Sequence, residues 1–297
     1  MSEPWTVLRL LTWTTDYLKS NGSDSPRLDA EVLLAHARGC ERIMLYAAFD
    51  QIVDDETRGK FRELVKRRAT GEPVAYLIGR REFYSLNFRV TPDVLIPRPE
   101  TEFLVVAVLD ALRGISNSAF SLQPSAFLVA DVGTGSGAIA VTIAKHEPAV
   151  RVLATDISVP ALAIARENAT THSVADRIEF VEGDLLTSLP AKPRFAVIVS
   201  NPPYIGETEI ATLAPSVINH EPRHALIAGP TGTEIIERLL PQAADRLLPA
   251  GWLILEVSPT IATRVLDLIA ANGHFEAATI TKDLANLPRV IKAQRKP

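Results

Sequence analysis

Two hydrophobic patterns divide the chain. Over roughly the first eighty residues apolar side chains recur at helical spacing. Thr6 to Lys19 carries Leu8, Leu11 and Leu18 on one side and stops at Asn21-Gly22. Ser25-Pro26 supplies an N-cap and a proline at the first helical position of a second helix, which runs through Leu28, Val32, Leu33 and Ala37 to Gly39. Asp54 to Ala69 is a third, charged helix ending at Gly71. Phe83 to Ile96 alternates around Asn87 as a β-hairpin linker, and a helix is predicted from Thr101 to about Leu112, followed by a Ser/Asn-rich loop. From Phe127 onward short β-branched runs take over. Strands are predicted at Phe127–Val132, Val150–Thr155, Ile178–Glu182, Phe195–Ser200 and Trp252–Val257. Helices lie between them at Ala138–Lys145, Pro160–Thr170, Thr233–Leu248 and Ile261–Asn272. Glu276–Thr281 and Arg289–Ala293 close as a hairpin. The expectation is an α/β protein: a helical bundle over residues 1–80, a hairpin linker over 81–100, and a doubly wound sheet with an antiparallel finish in 101–297.

Composition changes this picture little. Of 297 residues, 47% are hydrophobic and 22% charged, ordinary for a globular protein, and the formal charge of −4 gives no general attraction to nucleic acid or anionic membranes. Equal numbers of acids and bases in the first eighty residues point the same way. The single cysteine, Cys40, excludes an intramolecular disulfide and fits a reducing cytosol, where it packs at a helix end. Met1-Ser-Glu-Pro-Trp-Thr6 has no signal-peptide character, and no apolar stretch reaches membrane-spanning length, so a cytoplasmic protein is expected. The histidines lack metal-ligand spacing, and no metal is expected. The run Lys66-Arg67-Arg68 reads as a solvated helix face.

Chemistry concentrates at two strand ends. Strand one closes in Asp131-Val132-Gly133-Thr134-Gly135-Ser136-Gly137, where glycines permit a tight turn and let a ligand approach backbone amides at a helix N-terminus. Asp156 ends strand two, placed to accept from ribose hydroxyls. Gly133, Gly135 and Ala138 with Asp156 also satisfy the dinucleotide fingerprint. Two acids tilt the reading to S-adenosylmethionine (AdoMet). Asp131 suits an amino group and would repel a pyrophosphate, and Asp184, in Glu182-Gly183-Asp184-Leu185, is placed to accept from adenine's amine while Leu185 packs on the ring. After Phe195–Ser200 comes Asn201-Pro202-Pro203-Tyr204. Two prolines force the chain out of the sheet in a rigid extended turn, leaving an amide, a carbonyl and an aromatic ring where open sheets bind ligands. That set suits a planar –NH2 group: the Asn201 oxygen and the Pro202 carbonyl accept its two hydrogens while Pro203 and Tyr204 sandwich its plane.

Together these residues resemble class I AdoMet-dependent methyltransferases that modify planar nitrogens. Arg81-Glu-Phe-Tyr-Ser-Leu-Asn-Phe-Arg-Val90, Leu95-Ile-Pro-Arg-Pro-Glu-Thr-Glu102 and His220-Glu-Pro-Arg-His-Ala-Leu226 narrow the resemblance to the release factor glutamine methyltransferase (PrmC/HemK) family over nearly the whole chain. Ribosomal protein L3 glutamine methyltransferases, which usually carry a Ser-Pro-Ile-Ala-Glu type sequence in place of Pro-Glu-Thr-Glu, are less similar. The resemblance implies a Rossmann-like class I methyltransferase sheet and N5-methylation of the glutamine in the Gly-Gly-Gln motif of class 1 peptide chain release factors. It implies a monomer without direct nucleic-acid or membrane partners. Thr101 and Glu102 would border the methionine end of AdoMet or cap the next helix. The chain departs from the family pattern at Val257-Ser-Pro-Thr260 and at Asn286, a frequent glycine.

Three other readings compete. A DNA adenine-N6 methyltransferase could use the same tetrad on a flipped base but needs a basic DNA-facing surface. A silent AdoMet-binding scaffold would not need an intact Asn201–Tyr204 tetrad, and a nicotinamide oxidoreductase lacks hydride-site chemistry near strand four.

Overall fold

The computed structural model describes residues 4–116, 128–192 and 194–297. Its contacts form two units, Met1–Arg80 with Ala214–His220, and Arg81–Leu213 with Glu221–Pro297.

In the first unit, α1 (Val7–Ser20) starts where the Thr6 side chain accepts from the Arg9 amide, and α3 (Asp55–Ala69) starts where Asp54 accepts from the amide and hydroxyl of Thr57. Between them α2 (Pro26–Arg38) begins at its proline, without a side-chain bond from Ser25, and ends at Gly39 with φ +64. Leu11, Leu18, Leu33, Leu34, Phe61 and Val65 make the core, with half-buried Cys40 against it. A 3-10 turn at Arg42–Ala48 and the five-residue α4 (Val74–Ile78) were not anticipated, being too short to show a period. The basic run is tied within the unit: Lys66 pairs with Glu63, Arg67 with Glu72, and Arg68 with Asp29 at 2.7 Å.

The second unit opens with β1 (Arg80–Phe83) and β2 (Leu86–Arg89). Their turn is Tyr84-Ser85, at φ +49 and +60, not the neighbourhood of Asn87. Both turn residues are left-handed, as tight hairpins demand, yet neither is the Asn or Gly that usually signals such a turn. The Tyr84 amide is held by Glu102 at 2.9 Å. Then come α5 (Thr101–Ser116), β3 (Leu128–Val132), α6 (Ala138–His146), β4 (Arg151–Asp156), α7 (Val159–Thr171), β5 (Ile178–Glu182) and β6 (Phe195–Ser200). The predicted strand start at Phe127 and the Ser/Asn-rich loop before it lie outside the described residues. Short β7 (Ile205–Gly206) pairs with β8 (Ile227–Gly229), and α8 (Pro215–His220) falls between them in sequence. The chain finishes with α9 (Glu234–Arg246), β9 (Leu247–Glu256), α10 (Ala262–Asn272), β10 (Thr279–Lys282) and β11 (Pro288–Gln294).

The seven-stranded sheet has the order β10-β11-β9-β6-β3-β4-β5. Strands β9, β6, β3, β4 and β5 run parallel, β11 is antiparallel to β9, and β10, antiparallel to β11, runs in the direction of the other five. Val129, Val152 and Val197 face α5 and α6, while Ala130, Leu153 and Ile198 face α9 and α10, so both faces are covered. The register aligns Val132 with Thr155 and Ser200, Asp156 with Glu182, and Ser200 with Leu255. The carboxyl ends of the parallel strands therefore share one edge, and the order reverses at β3, where open sheets bind ligands.

The strand expected at Glu276–Thr281 is β10 at Thr279–Lys282, and the α9 boundary also differs from the pattern. The helix expected to reach Leu248 ends at Arg246, because the Arg246 carbonyl accepts from the Arg194 amide and Leu247 enters the sheet opposite Phe195. Leu239, Leu240, Ala243, Ala244 and Leu247 keep helical spacing across that junction, so periodicity hid it. Asn286 sits at φ +62 in the turn before β11, where the Asp283 carboxylate accepts from the amides of Ala285 and Leu287. Asn tolerates this left-handed conformation, so its replacement of a glycine is structurally coherent.

Candidate active site

The loop after β3 is wound by three left-handed glycines, Gly133, Gly135 and Gly137. The amides of Gly133 and Thr134 donate to the Thr155 carbonyl at 2.8 and 2.9 Å, pinning the loop across β4. A Cβ on Gly133 or Gly135 would meet nothing within 4 Å, so their outer face is open to a ligand. A Cβ on Gly137 would lie 3.1 Å from that of Ala165, the close approach that packs α7 against the loop. Gly137→Ala therefore combines φ strain with crowding, and is expected to cost about 1–3 kcal/mol. A melting temperature within a degree of wild type would refute this account of the third glycine.

Buried polar groups hold the loop from below. Asn168 donates to the carbonyls of Ser136 and Arg89 and accepts from the Arg89 amide, joining loop, hairpin and α7. Asp131 is fully buried; its Oδ2 accepts from the Thr134 hydroxyl at 2.7 Å and the Ala140 amide at 3.1 Å, and its Oδ1 has no partner among the described residues. Burial pushes this carboxyl up to about 7 against those two hydrogen bonds, with Asp156 adding to the rise. A carboxyl raised above its unfolded value takes up a proton on folding, so its contribution to stability falls as pH rises from about 4 to about 7. Asp131→Asn should flatten the loss of melting temperature between those pH values in ligand-free protein. An unchanged pH slope would show that Asp131 is not its source.

Asp156 ends β4, nine-tenths buried; Oδ2 accepts from the Gly135 amide at 2.8 Å and Oδ1 from the Ser158 amide at 2.9 Å. Its own carbonyl takes the Gly183 amide. One acid thus sets the relative position of three loops. A cavity of about 340 Å³ opens above it, lined by Gly133, Gly135, Asp156, Asp184, Leu185, Asn201 and Pro203. Thr101, Thr134, Ser136 and Pro202 are buried behind this lining. Asp184 is half-exposed and ion-paired with Arg238, and Leu185 adopts φ +57 and leans on the core. Sequence reasoning missed several wall residues: Asp93–Leu95, the exposed Ile157, Ala161, His224, Ile227 and Arg238. Ile157 had a readable signal, an apolar residue directly after the strand-two acid.

At the other side of the cavity the Ser200 hydroxyl donates to the Val132 carbonyl and fixes the start of the Asn201–Tyr204 loop. Asn201 Nδ2 donates to Thr101 Oγ1 at 3.2 Å, and among the described residues no donor reaches Asn201 Oδ1. Tyr204 packs on the core and its hydroxyl donates to Glu256 Oε1 at 3.4 Å. Burial, then the nearby Glu256 charge, raise the Tyr204 hydroxyl well above its ordinary value. Burial likewise raises Glu256 to about 7, opposed by the hydroxyls of Thr101 and Tyr204 and the charge of Arg289. Glu256 ends β9 as Asp131 and Asp156 end or nearly end their strands, a signal the sequence carried without a role attached.

The two outlying motifs meet here. Buried Glu221 accepts from the Ile96 amide at 3.2 Å and pairs with Arg98 at 2.5 Å, so the His220–Leu226 segment clamps the Leu95–Glu102 segment. That clamp delivers Thr101 to Asn201. Glu102 turns instead to the Tyr84 amide. The site is a cleft at the carboxyl edge with the unobstructed outer faces of Gly133 and Gly135 at one end and an acceptor oxygen, Asn201 Oδ1, at the other. Such an arrangement can hold a nucleoside-bearing ligand and orient a donor –NH2 group beside it.

Residues 9–79 match the PrmC N-terminal domain, and residues 119–283 match the methyltransferase small domain. A protein of Rhodopirellula baltica named release factor glutamine methyltransferase is 50% identical over 98% of this chain and 97% of its own length. One of the same name from Nitratidesulfovibrio vulgaris is 40% identical over 98% of this chain and 95% of its own. Among solved structures, the T. thermophilus 16S rRNA methyltransferase RsmC, in complex with AdoMet and guanosine, superposes with a TM-score of 0.51 at 18% identity, covering 73% of this chain and 50% of that one.

Proposed function

Because this chain belongs to the release factor glutamine methyltransferase family, we propose that it transfers a methyl group from AdoMet to the side-chain nitrogen, N5, of the Gly-Gly-Gln glutamine of class 1 peptide chain release factors. The observation that carries the reading is Asn201: with its amide nitrogen engaged by Thr101, its side-chain oxygen is left as an acceptor on the wall of the cavity that Asp156 and the glycine loop also line.

The residues fit AdoMet. The outer faces of Gly133 and Gly135 are open, and each oxygen of Asp156 keeps a lone pair for ribose hydroxyls after taking one backbone N–H. Leu185 and Ile157 offer apolar contact to adenine, with the Asp184 carboxylate near for its amine. The unpartnered Oδ1 of Asp131, beneath Thr134, Ser136 and Gly137, is the acceptor assigned to the amino group at the methionine end. Thr101, behind the cavity wall, holds Asn201 at the methionine end of the site.

When bound, AdoMet supplies an electrophilic methyl on a sulfonium. The protein's task is the nucleophile. A carboxamide nitrogen is weak because its lone pair is delocalised, so Asn201 Oδ1 and the Pro202 carbonyl hold its two hydrogens and aim the lone pair, with Pro203 and Tyr204 enclosing the amide plane. Such alignment is worth several kcal/mol, up to roughly 7–11 in ideal cases. As the nitrogen bonds the methyl, the S–CH3 bond would break with S-adenosylhomocysteine as leaving group, and the nitrogen, then cationic, gives its proton to water. We assign recognition of the protein substrate to residues 1–80, linkage to 81–100 and chemistry to 101–297, in a monomeric cytoplasmic enzyme of translation termination that needs no metal. Mass spectrometry of release factor incubated with enzyme and AdoMet tests the reading. A gain of one CH2 localised to the Gly-Gly-Gln glutamine is expected; methylation elsewhere, or of DNA adenine instead, would overturn it.

A further inference from the structure

One buried group in the site has no part in the mechanism above. Glu256 is 1% exposed at the carboxyl end of β9, beside β6 and the loop that follows it. Its Oε1 takes the Tyr204 hydroxyl, and the Thr101 hydroxyl lies against the same carboxyl and favours its charged form. Thr101 in turn holds Asn201 Nδ2. Both ends of the Asn201–Tyr204 tetrad therefore reach one acid, the last residue directly and the first through Thr101.

A carboxyl buried only for stability should have its lone pairs filled, since burying an unmatched polar atom costs more than a hydrogen bond returns. Glu256 does not meet that standard: Oε2 has no partner among the described residues. The charges that face it are Arg289, which favours ionisation, and Glu100, which opposes it. Apolar residues at this strand end would have closed the core more cheaply, as Leu253, Ile254 and Leu255 do one turn of the pleat earlier. What the acid provides is an acceptor for the Tyr204 hydroxyl, with the Thr101 hydroxyl close enough to favour its charged form.

We propose that Glu256 is a positioning residue for the methyl transfer, holding Thr101 and Tyr204 so that Asn201 presents its side-chain oxygen, and not its nitrogen, to the substrate amide. An Asn side chain is nearly symmetric in shape, and a flip of its amide would point a donor at a donor. Thr101 prevents the flip by accepting from Nδ2, and it can do so in one orientation only if its own hydroxyl proton has somewhere to go. The open Oε2 of Glu256 is the destination this proposal assigns to it. The inference deepens the proposed function and depends on it.

The test uses full-length enzyme, intact release factor and labelled AdoMet, with AdoMet affinity measured separately by calorimetry. Glu256→Ala and Thr101→Val should each lower kcat about 10- to 100-fold, the scale of a small misplacement in a reacting pair, with the AdoMet Kd within about threefold of wild type. The double variant should be no worse than the poorer single one, because both break one chain of contacts. Glu256→Gln and Thr101→Ser, which keep the acceptor and the hydroxyl, should recover most of the activity. Losses that multiply in the double variant would overturn the proposal, as would AdoMet affinity that falls in step with kcat. Glu256→Gln as damaging as Glu256→Ala would overturn it too, since the acid would then act by its charge or proton. Should Glu256→Ala fail to fold, Thr101→Val against Thr101→Ser, alone and in the Glu256→Gln background, decides by the same criteria. A wild-type enzyme that leaves release factor unmethylated would sink both this and the proposed function. An active wild type with indifferent variants would sink this alone.

Discussion

Asn201→Ala should lower turnover on intact release factor by about 10²–10³ while AdoMet binds almost as before, the usual cost of losing one preorganised polar contact in an active site. The side chain has two jobs that alanine cannot share: its nitrogen is committed to Thr101 and its oxygen is the acceptor on the cavity wall. The backbone of the loop should survive, because Ser200 still bonds to the Val132 carbonyl and the prolines still hold their φ angles. Turnover and AdoMet affinity must be read together. A parallel loss of both would mean that Asn201 serves the cofactor more than the amide, and unchanged turnover would remove it from the chemistry.

Asp156→Ala should raise the AdoMet Kd by roughly 10- to 150-fold, corresponding to about 1.5–3 kcal/mol for charged hydrogen bonds to ribose. Its carboxylate is also the acceptor for the amides of Gly135 and Ser158, so alanine frees the glycine loop as well as the ribose site. Asp156→Asn separates the two effects, because one amide oxygen can keep a loop contact while the charge is gone. The asparagine variant should bind AdoMet better than the alanine variant and melt closer to wild type. Calorimetry showing undiminished affinity in folded Asp156→Ala would take this acid out of the ligand site.

Much of this was legible because parallel strands announce themselves as apolar runs and because glycine, proline and acid residues cluster at their ends. Ile178–Glu182 and Phe195–Ser200 were readable to the residue, since buried β-branched segments meet turn formers there. The hairpin turn was not, because Tyr84 and Ser85 adopt left-handed backbone against their own preferences, with the Tyr84 amide held by a distant carboxylate, Glu102. Nor was the end of α9, where tertiary pairing with Phe195 overrides a continuing helical period. In the candidate site, the strand-end residues Asp131, Asp156 and Asn201 could be singled out from their spacing. Those that act by bracing others, Asn168 and Glu256, were not, because one-dimensional pattern carries no record of who touches whom across the sheet.

The Glu221 clamp also sets an order of events during synthesis. Ile96 and Arg98 wait for a partner 125 and 123 residues further along the chain, so the stretch leading into Thr101 is unclamped until the ribosome has made β6 and the loop beyond it. Contacts of such separation form late. The helix that follows Thr101 and the first strands can assemble earlier, but Asn201 gains its orienting hydroxyl only when most of the polypeptide exists. An unfinished chain is therefore a scaffold without a working amide cradle, and competence arrives in one late step with the docking of His220–Leu226.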